Sequence, residues 1–313
     1  MTDVSKLRIF VAGHAGLVGR HVVEELASCG IGTLTLPGVD LRDQRAVFGF
    51  FAKQELKGEP VEAVVLCAAR VGGIRANQTR PGEFIHDNLA IQTNVIEAAR
   101  VFGVDRFIFL GSTCVYPRDA SVPIMPDDLL TGPLEPTNRA YAVAKIAGIE
   151  MVRSYREQYG KSRWCTLMPS NLFGPYDNFD LASSHALPAL LRKTYEASKT
   201  KAATISLWGD GSPRREFLYA RDLARAIYKI LGQDDVPSII NVGSGTQLSI
   251  RELAETITKL LGFQGELVWS GESNGANDRL LDSSYIRSLG WNPVVVFERG
   301  LVMTFQWMVA NVF

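Results

Sequence analysis

The sequence predicts an α/β protein: a doubly wound parallel sheet of the Rossmann type with a smaller, interleaved C-terminal substrate part. Three observations carry this. Short runs rich in β-branched and aromatic residues alternate with helix-like segments through the first half, the pattern of a parallel sheet covered on both faces. The first run leads directly into the glycine loop Gly13-His14-Ala15-Gly16-Leu17-Val18-Gly19. The 313 residues are 46% apolar, enough to bury a sizeable core in one large domain or two.

Taken in order, residues 8–12 (RIFVA) read as a strand, 17–29 as a helix, 32–36 as a strand and 44–54 as a helix. A strand at 63–68, a helix at 88–101, a strand at 106–110, a helix at 141–159 and a strand at 164–168 complete a dinucleotide half, placed at residues 1–169. Beyond Pro169 the pattern loosens into the loop SNLFGPYDNFD, a helix at 185–197 and a strand at 204–208 closed by the turn GDGSP. The strand-like stretch 216–219 and the helix 222–231 are expected to return to the first sheet. Elements within about 214–243 then belong to the first unit, and 170–313 is otherwise mainly the substrate unit. No repeat or Gly/Ser-rich linker divides the chain.

Composition excludes several classes. Thirty-three basic residues balance thirty-three acidic ones, so no global field draws the chain to nucleic acid or an acidic membrane, and an anionic ligand has to be held locally. No window approaches the roughly 18 apolar residues of a membrane span, and the first residues lack the pattern of a signal peptide, so a soluble, cytoplasmic protein is expected. Cys29, Cys67, Cys114 and Cys165 show no CxxC spacing, which predicts free thiols, no disulfide framework and no metal site.

The glycine loop has strand and helix on the correct sides for a dinucleotide site: glycine permits the tight turn and lets backbone N–H groups touch a pyrophosphate at the helix N-terminus. Gly13, Gly16, Leu17, Val18 and Gly19 are its candidates. Further on, Tyr141 and Lys145 lie four apart, on one face of one helix. A phenol of pKa about 10 is scarcely ionised at neutral pH, and a neighbouring ammonium and a cationic nicotinamide are expected to lower that value and make it a usable acid or base. Ser112 follows a strand ending in glycine, about thirty residues before this pair, and supplies a third partner that hydrogen-bonds a substrate oxygen. The same stretch, GSTCVYP, leaves Cys114 over; taken alone, it reads as a small core hydrophobe.

The GxxGxxG spacing resembles the extended branch of the short-chain dehydrogenase/reductase superfamily. With LCAARVGGIRAN at 66–77, GSTCVYP at 111–117, LEPTNRAYAVAKIAGIE at 134–150 and MPSNLFGPYDNFDLASSHALPALLRK at 168–193, the chain resembles, nearly end to end, the GDP-L-fucose synthase family. Members are NADPH-dependent 3,5-epimerase/4-reductases of GDP-4-keto-6-deoxy-D-mannose. The resemblance implies that Cys114 and His185 are the epimerising acid/base pair and that Ser112, Tyr141 and Lys145 serve reduction. It also implies that Tyr141 and Lys145 join the cofactor site together with Ala68, Ala69 and Asp43, the last near the adenine, and that Lys193 and Arg215 bind the substrate diphosphate. Asn171, Trp208 and Arg279 become contacts to sugar or nucleoside. A homodimer packing the YxxxK helix with its neighbour near 88–102 is the family's usual assembly.

Two departures stand out. The segment after the second strand, TLPGVDLRD, carries neither a clean acid for NAD nor an arginine cluster for NADP, with Arg42 the one candidate phosphate partner, and Ala15 stands where many relatives are basic. NADP is the expected cofactor and NAD use stays open. The loop 273–282, SNGANDRLLD, also differs from the family's, with Asn274 in place of an acid and Asp278 of a base, which admits a related GDP-4-keto sugar, a 3,6-dideoxy or heptose derivative. The competing enzyme reading is a 4-reductase or 4-epimerase without 3,5-epimerisation; a nucleotide-sensing protein without catalysis fits poorly with an intact Tyr/Lys pair.

Overall fold

The computed structural model describes residues 3–271 and 278–313; Asn274 lies outside the described residues. In chain order the elements are β1 (Ile9–Ala12), α1 (Leu17–Ser28), β2 (Thr33–Leu34), α2 (Gln44–Leu56), β3 (Ala63–Leu66), α3 (Ile74–Thr79), α4 (Pro81–Val101) and β4 (Arg106–Leu110). There follow α5 (Arg139–Tyr159), β5 (Trp164–Pro169), β6 (Asn171–Phe173), α6 (Ala186–Thr200), β7 (Thr204–Leu207), β8 (Arg214–Tyr219) and α7 (Ala220–Leu231). The chain closes with β9 (Ile239–Val242), β10 (Gln247–Ser249), α8 (Ile250–Leu261), β11 (Glu266–Trp269), α9 (Ser284–Ser288) and α10 (Phe297–Val312).

Six strands make an all-parallel sheet in the order β2-β1-β3-β4-β5-β9. Side chains alternate across it, as the two-residue period of a strand requires. Phe10, Val64, Leu66, Phe107 and Phe109 enter one core with residues of α2, α4 and α5. Ile9, Val11, Val65, Ile108 and Leu110 enter a second core with α1, α7 and α9. Both faces are therefore buried, which is why these strands read as continuous apolar runs. A third core gathers α6, α8 and α10 around two smaller sheets, β10-β8-β6 and β11-β7.

Several expectations need correction. The strand at 216–219 does not return to the first sheet: β8 pairs with β6 and β10, and β9 is the strand that adds to β5. The helix expected at 88–101 begins at Pro81, because proline is well placed in a first helical turn, where its missing N–H costs nothing. The short α3 was not foreseen within GGIRANQT, and no element was assigned after residue 231, although Ser249 and Glu252 form a reciprocal capping box at the start of α8. All four cysteines are free thiols. Among the described residues, no helix is long and apolar enough to cross a membrane.

Candidate active site

Strand order reverses between β1 and β3, and open α/β sheets bind ligands in the crevice at such a point. The glycine loop lies there because only glycine fits. Gly13 has φ +89°, and a Cβ on it would stand 2.5 Å from the Ala68 nitrogen. A Cβ on Gly19 would stand 2.1 Å from the Gly13 carbonyl oxygen, so the first turn of α1 lies directly on the loop. Gly16 caps α1 with no side chain, leaving the first-turn N–H groups of Leu17, Val18 and Gly19 to an incoming anion. A groove of about 210 Å³ continues from the loop, lined by Phe10, Ala15, Leu36, Val39 and Leu41 among others. These features fit a dinucleotide: a pyrophosphate on the helix end and an apolar slot for a base. Asp43, expected near the adenine, caps α2, its Oδ1 accepting from the N–H groups of Arg45 (2.9 Å) and Ala46 (3.2 Å). Arg42 is held by carboxylates, through Nη2 to Asp40 at 2.7 Å and Nη1 to Asp87 at 2.9 Å.

Beyond the C-terminal end of β4, four predicted residues come together. Ser112 Oγ accepts from the Cys114 N–H at 3.4 Å, and its hydroxyl faces both the Cys114 thiol and the Tyr141 phenol. Lys145 is fixed from below. A Cβ on Gly148 would meet the Phe109 ring at 2.6 Å, so α5 packs tightly on β4; Lys145 Nζ then lies 4.6 Å from the Phe109 ring centre and donates to the Leu110 carbonyl at 2.8 Å. The ammonium is 5.8 Å from the Tyr141 ring centre.

The electrostatics differ from expectation. Burial drives the Tyr141 phenol above its ordinary value rather than below it, and the Cys114 charge adds to that, while Ser112 opposes it. Burial likewise pushes the Cys114 thiol up to about 11, against the lowering effects of Ser112, Lys145 and Arg279. The group brought toward neutrality is Lys145, lowered by burial to about 8. Desolvation outweighs each charge contact because the cluster is densely surrounded by protein. Its thiol and phenol are half-buried by exposed area, but protein surrounds them on most sides.

His185 lies on a different element. It occupies the N-cap position of α6, exposed by area yet ringed by enough protein that desolvation lowers its pKa. The segment before it is held by α3. The Gly73 N–H donates to the Ser183 carbonyl at 2.8 Å, and Asn77 Nδ2 donates to the Gly72 carbonyl at 2.7 Å. Among the described residues, no hydrogen bond joins His185 to the other four.

The predicted substrate residues divide. Arg215 and Arg279 form an isolated bridge between β8 and the segment before α9. Arg279 is buried and donates from Nη1 to the Pro117 carbonyl at 2.9 Å, three residues from Cys114. Burial, then the Arg279 charge, lowers Arg215 to about 10. Asn171 Nδ2 donates to the Glu216 carbonyl at 3.0 Å, Lys193 lies half-buried on α6, and Trp208 is 66% exposed. Sequence reasoning missed Glu135, buried inside the quoted LEPTN, whose Oε2 has no hydrogen-bond partner among the described residues and whose charge acts on both Arg215 and Arg279. It also gave no part to Gly73, although the paired glycines of VGGI were a visible signal of close backbone approach.

Known proteins bear on this arrangement. Residues 9–243 match the NAD dependent epimerase/dehydratase family. The chain is 48% identical to "Probable GDP-L-fucose synthase 1" of Oryza sativa subsp. japonica, across 97% of this chain and 93% of that one. Among solved structures it resembles a GDP-6-OMe-4-keto-L-xylo-heptose reductase from C. jejuni (TM-score 0.89, 32% identity, 99% of each chain). A GDP-L-fucose synthetase from Naegleria fowleri bound to NADP is similar at TM-score 0.86 and 28% identity, covering 100% of this chain and 97% of that one. With the glycine cradle at the switch point and the Ser112–Tyr141–Lys145 cluster beside it, the chain belongs to the NAD dependent epimerase/dehydratase family, alongside its GDP-L-fucose synthase relatives.

Proposed function

We propose that this chain catalyses the NADPH-dependent 3,5-epimerisation and 4-reduction of GDP-4-keto-6-deoxy-D-mannose to GDP-L-fucose. The observation that carries the reading is the convergence of Ser112, Cys114, Tyr141 and Lys145 next to the glycine cradle; near-full-length relatives of that name support it. The unit formed by residues 1–169, with α7 and β9 returning to it, holds the dinucleotide, and the rest of 170–313 holds the GDP-sugar.

The 4-ketone acidifies the C–H bonds at C3 and C5, so each inversion needs one group to take a proton and another to return one to the opposite face. In the free protein, the lowered pKa of His185 leaves an unprotonated imidazole, and the raised pKa of Cys114 leaves a protonated thiol. The resting pair therefore contains one acceptor and one donor. Hydroxyls of Ser112 and Tyr141 donate to the sugar oxygen as enolate charge grows on it. NADPH, when bound, supplies the hydride for C4. Tyr141 gives its proton to the new alkoxide, and Lys145 keeps positive charge beneath the ring. Arg215 and Lys193 hold the diphosphate, the former with a planar fork suited to two phosphate oxygens, while Arg279 adds buried positive charge and Asn171 and Trp208 border the sugar and nucleoside. A cytoplasmic homodimer completes the reading, joined through the outer faces of α4 and α5, where Val143 is 39% exposed.

The test is incubation with GDP-4-keto-6-deoxy-D-mannose and NADPH in deuterated water, followed by NMR of the sugar. Deuterium at C3 and C5 of an L-galacto product is expected. A 4-reductase acting without epimerisation is the second reading, favoured by the likeness to the heptose reductase. It predicts reduction with neither carbon labelled.

A further inference from the structure

The rim of the cofactor groove holds a feature that the reading above does not use. In dinucleotide folds, the residue about twenty positions past the glycine loop meets the adenosine ribose: an acid there accepts from the 2′-hydroxyl, and an arginine pairs with a 2′-phosphate. Counted from Gly16 that position is Leu36, which lines the groove and packs against the first core. It is neither acid nor cation.

Arg20 and Arg42, on either side of it in the chain, are held by other partners. Arg20 directs Nε to the Ala15 carbonyl at 3.1 Å and lies 4.7 Å over the Tyr176 ring. Arg42 is gripped in bidentate fashion by Asp40, with Nε 3.0 Å from Oδ1 and Nη2 2.7 Å from Oδ2, and is held again by Asp87. Asp87 also accepts from Arg70 at 2.7 Å, Arg70 pairs with Glu83, and His86 Nδ1 lies 3.1 Å from Asp87. Two guanidiniums thus face three carboxylates, and the acidic side chains outnumber the guanidiniums. Asp43 and Arg45 at the start of α2 add one charge of each sign and leave that excess in place, so a phosphate dianion arriving here meets net like charge.

We infer that the adenosine end of this site does not favour the 2′-phosphate, so that NADH serves this enzyme as well as NADPH, with Leu36 the residue that sets the indifference. This rests on the dinucleotide reading of the glycine cradle.

The experiment is a fluorescence titration of the purified full chain with NADPH and NADH, at about pH 8, where imidazoles are ordinarily neutral, and about 0.15 M salt. Dissociation constants agreeing within about threefold are expected, a difference of less than about 0.7 kcal/mol. NADPH tighter by about thirtyfold or more overturns the inference. Leu36→Arg should tighten NADPH by about tenfold and leave NADH unmoved, since it supplies the missing phosphate partner. Should that core-packed position fail to fold, Asp40→Asn, at an exposed site, frees Arg42 from its bidentate hold and should tighten NADPH alone by about threefold. NADPH affinity unmoved by every folded variant overturns the assignment to this rim. Binding of neither dinucleotide overturns the cradle reading beneath it, whereas equal binding without turnover of the GDP-sugar supports the inference and fails the substrate assignment alone.

Discussion

The cluster at the end of β4 and the corner at His185 are built in opposite ways. Ser112 and Cys114 share one turn, Tyr141 and Lys145 share one helical face, and Gly148 lets that helix lie tightly on β4. The end of β4, the turn that follows it and α5 fix these four groups. His185 instead caps the N-terminus of a helix on another core, and its loop is tied down by a short helix from the first unit. The difference teaches that the epimerising pair is split between two supports: Cys114 sits with the reducing groups, and His185, which only the epimerising half uses, sits on the other. Substitutions should therefore be able to lose epimerisation before reduction.

The largest break is expected at the shared group. Tyr141→Phe removes the proton donor to O4 and should lower the single-turnover rate of NADPH oxidation by about 10²–10⁴-fold; a loss under tenfold would mean that another group protonates O4. Next in size, Cys114→Ser keeps shape and hydrogen bonding but removes the thiol. Deuterium uptake at C3 and C5 should fall by about 10²-fold or more, while the cofactor affinity stays. Unchanged uptake would remove Cys114 from the epimerising pair.

How much of this was legible follows the same division. The strands β1, β3, β4 and β5 were readable because burial on both faces makes them apolar throughout, and the glycine loop because its constraints are local. Ser112, Tyr141 and Lys145 lie on elements whose spacing the sequence displays. By contrast, nothing local in 214–219 says that β8 joins a second sheet, since pairing partners are a long-range choice. The charge states were also hidden. Residue types suggested an activated phenol and thiol, but the raised values come from burial, which depends on how the cleft closes around the cluster. Glu135 drew no notice for the same reason: its carboxyl matters only once the fold buries it near two arginines.

A smaller and more selective break is available at Gly73, which has φ −66° and thus needs no glycine for its backbone. Its lack of a side chain serves proximity alone, for a Cβ would stand 2.3 Å from the Ser184 carbonyl oxygen. Gly73→Ala must push back the segment that leads into His185. Proton exchange at C3 and C5 is expected to fall by about tenfold, a displacement of under an ångström being enough to misplace a reacting group. Reduction of an already epimerised keto sugar should stay within about twofold. Equal loss in both assays would show that the two supports are not separate.

The smallest effect comes from pH, and its two limbs sort the same two regions. The Lys145 ammonium, lowered to about 8, loses its charge as pH rises through that value, so kcat/KM for reduction, which reports the free enzyme, should be halved near pH 8 and fall further above it. His185 is also lowered, but its useful form is the neutral one, which persists as pH falls past the ordinary 6.5 and is lost only below the depressed value. Exchange at C3 and C5 should therefore hold level through pH 6.5 while reduction declines on the alkaline side. Were His185 the donor at rest instead, exchange would rise as the pH drops below 6.5, and the roles of the thiol and the imidazole would have to be exchanged.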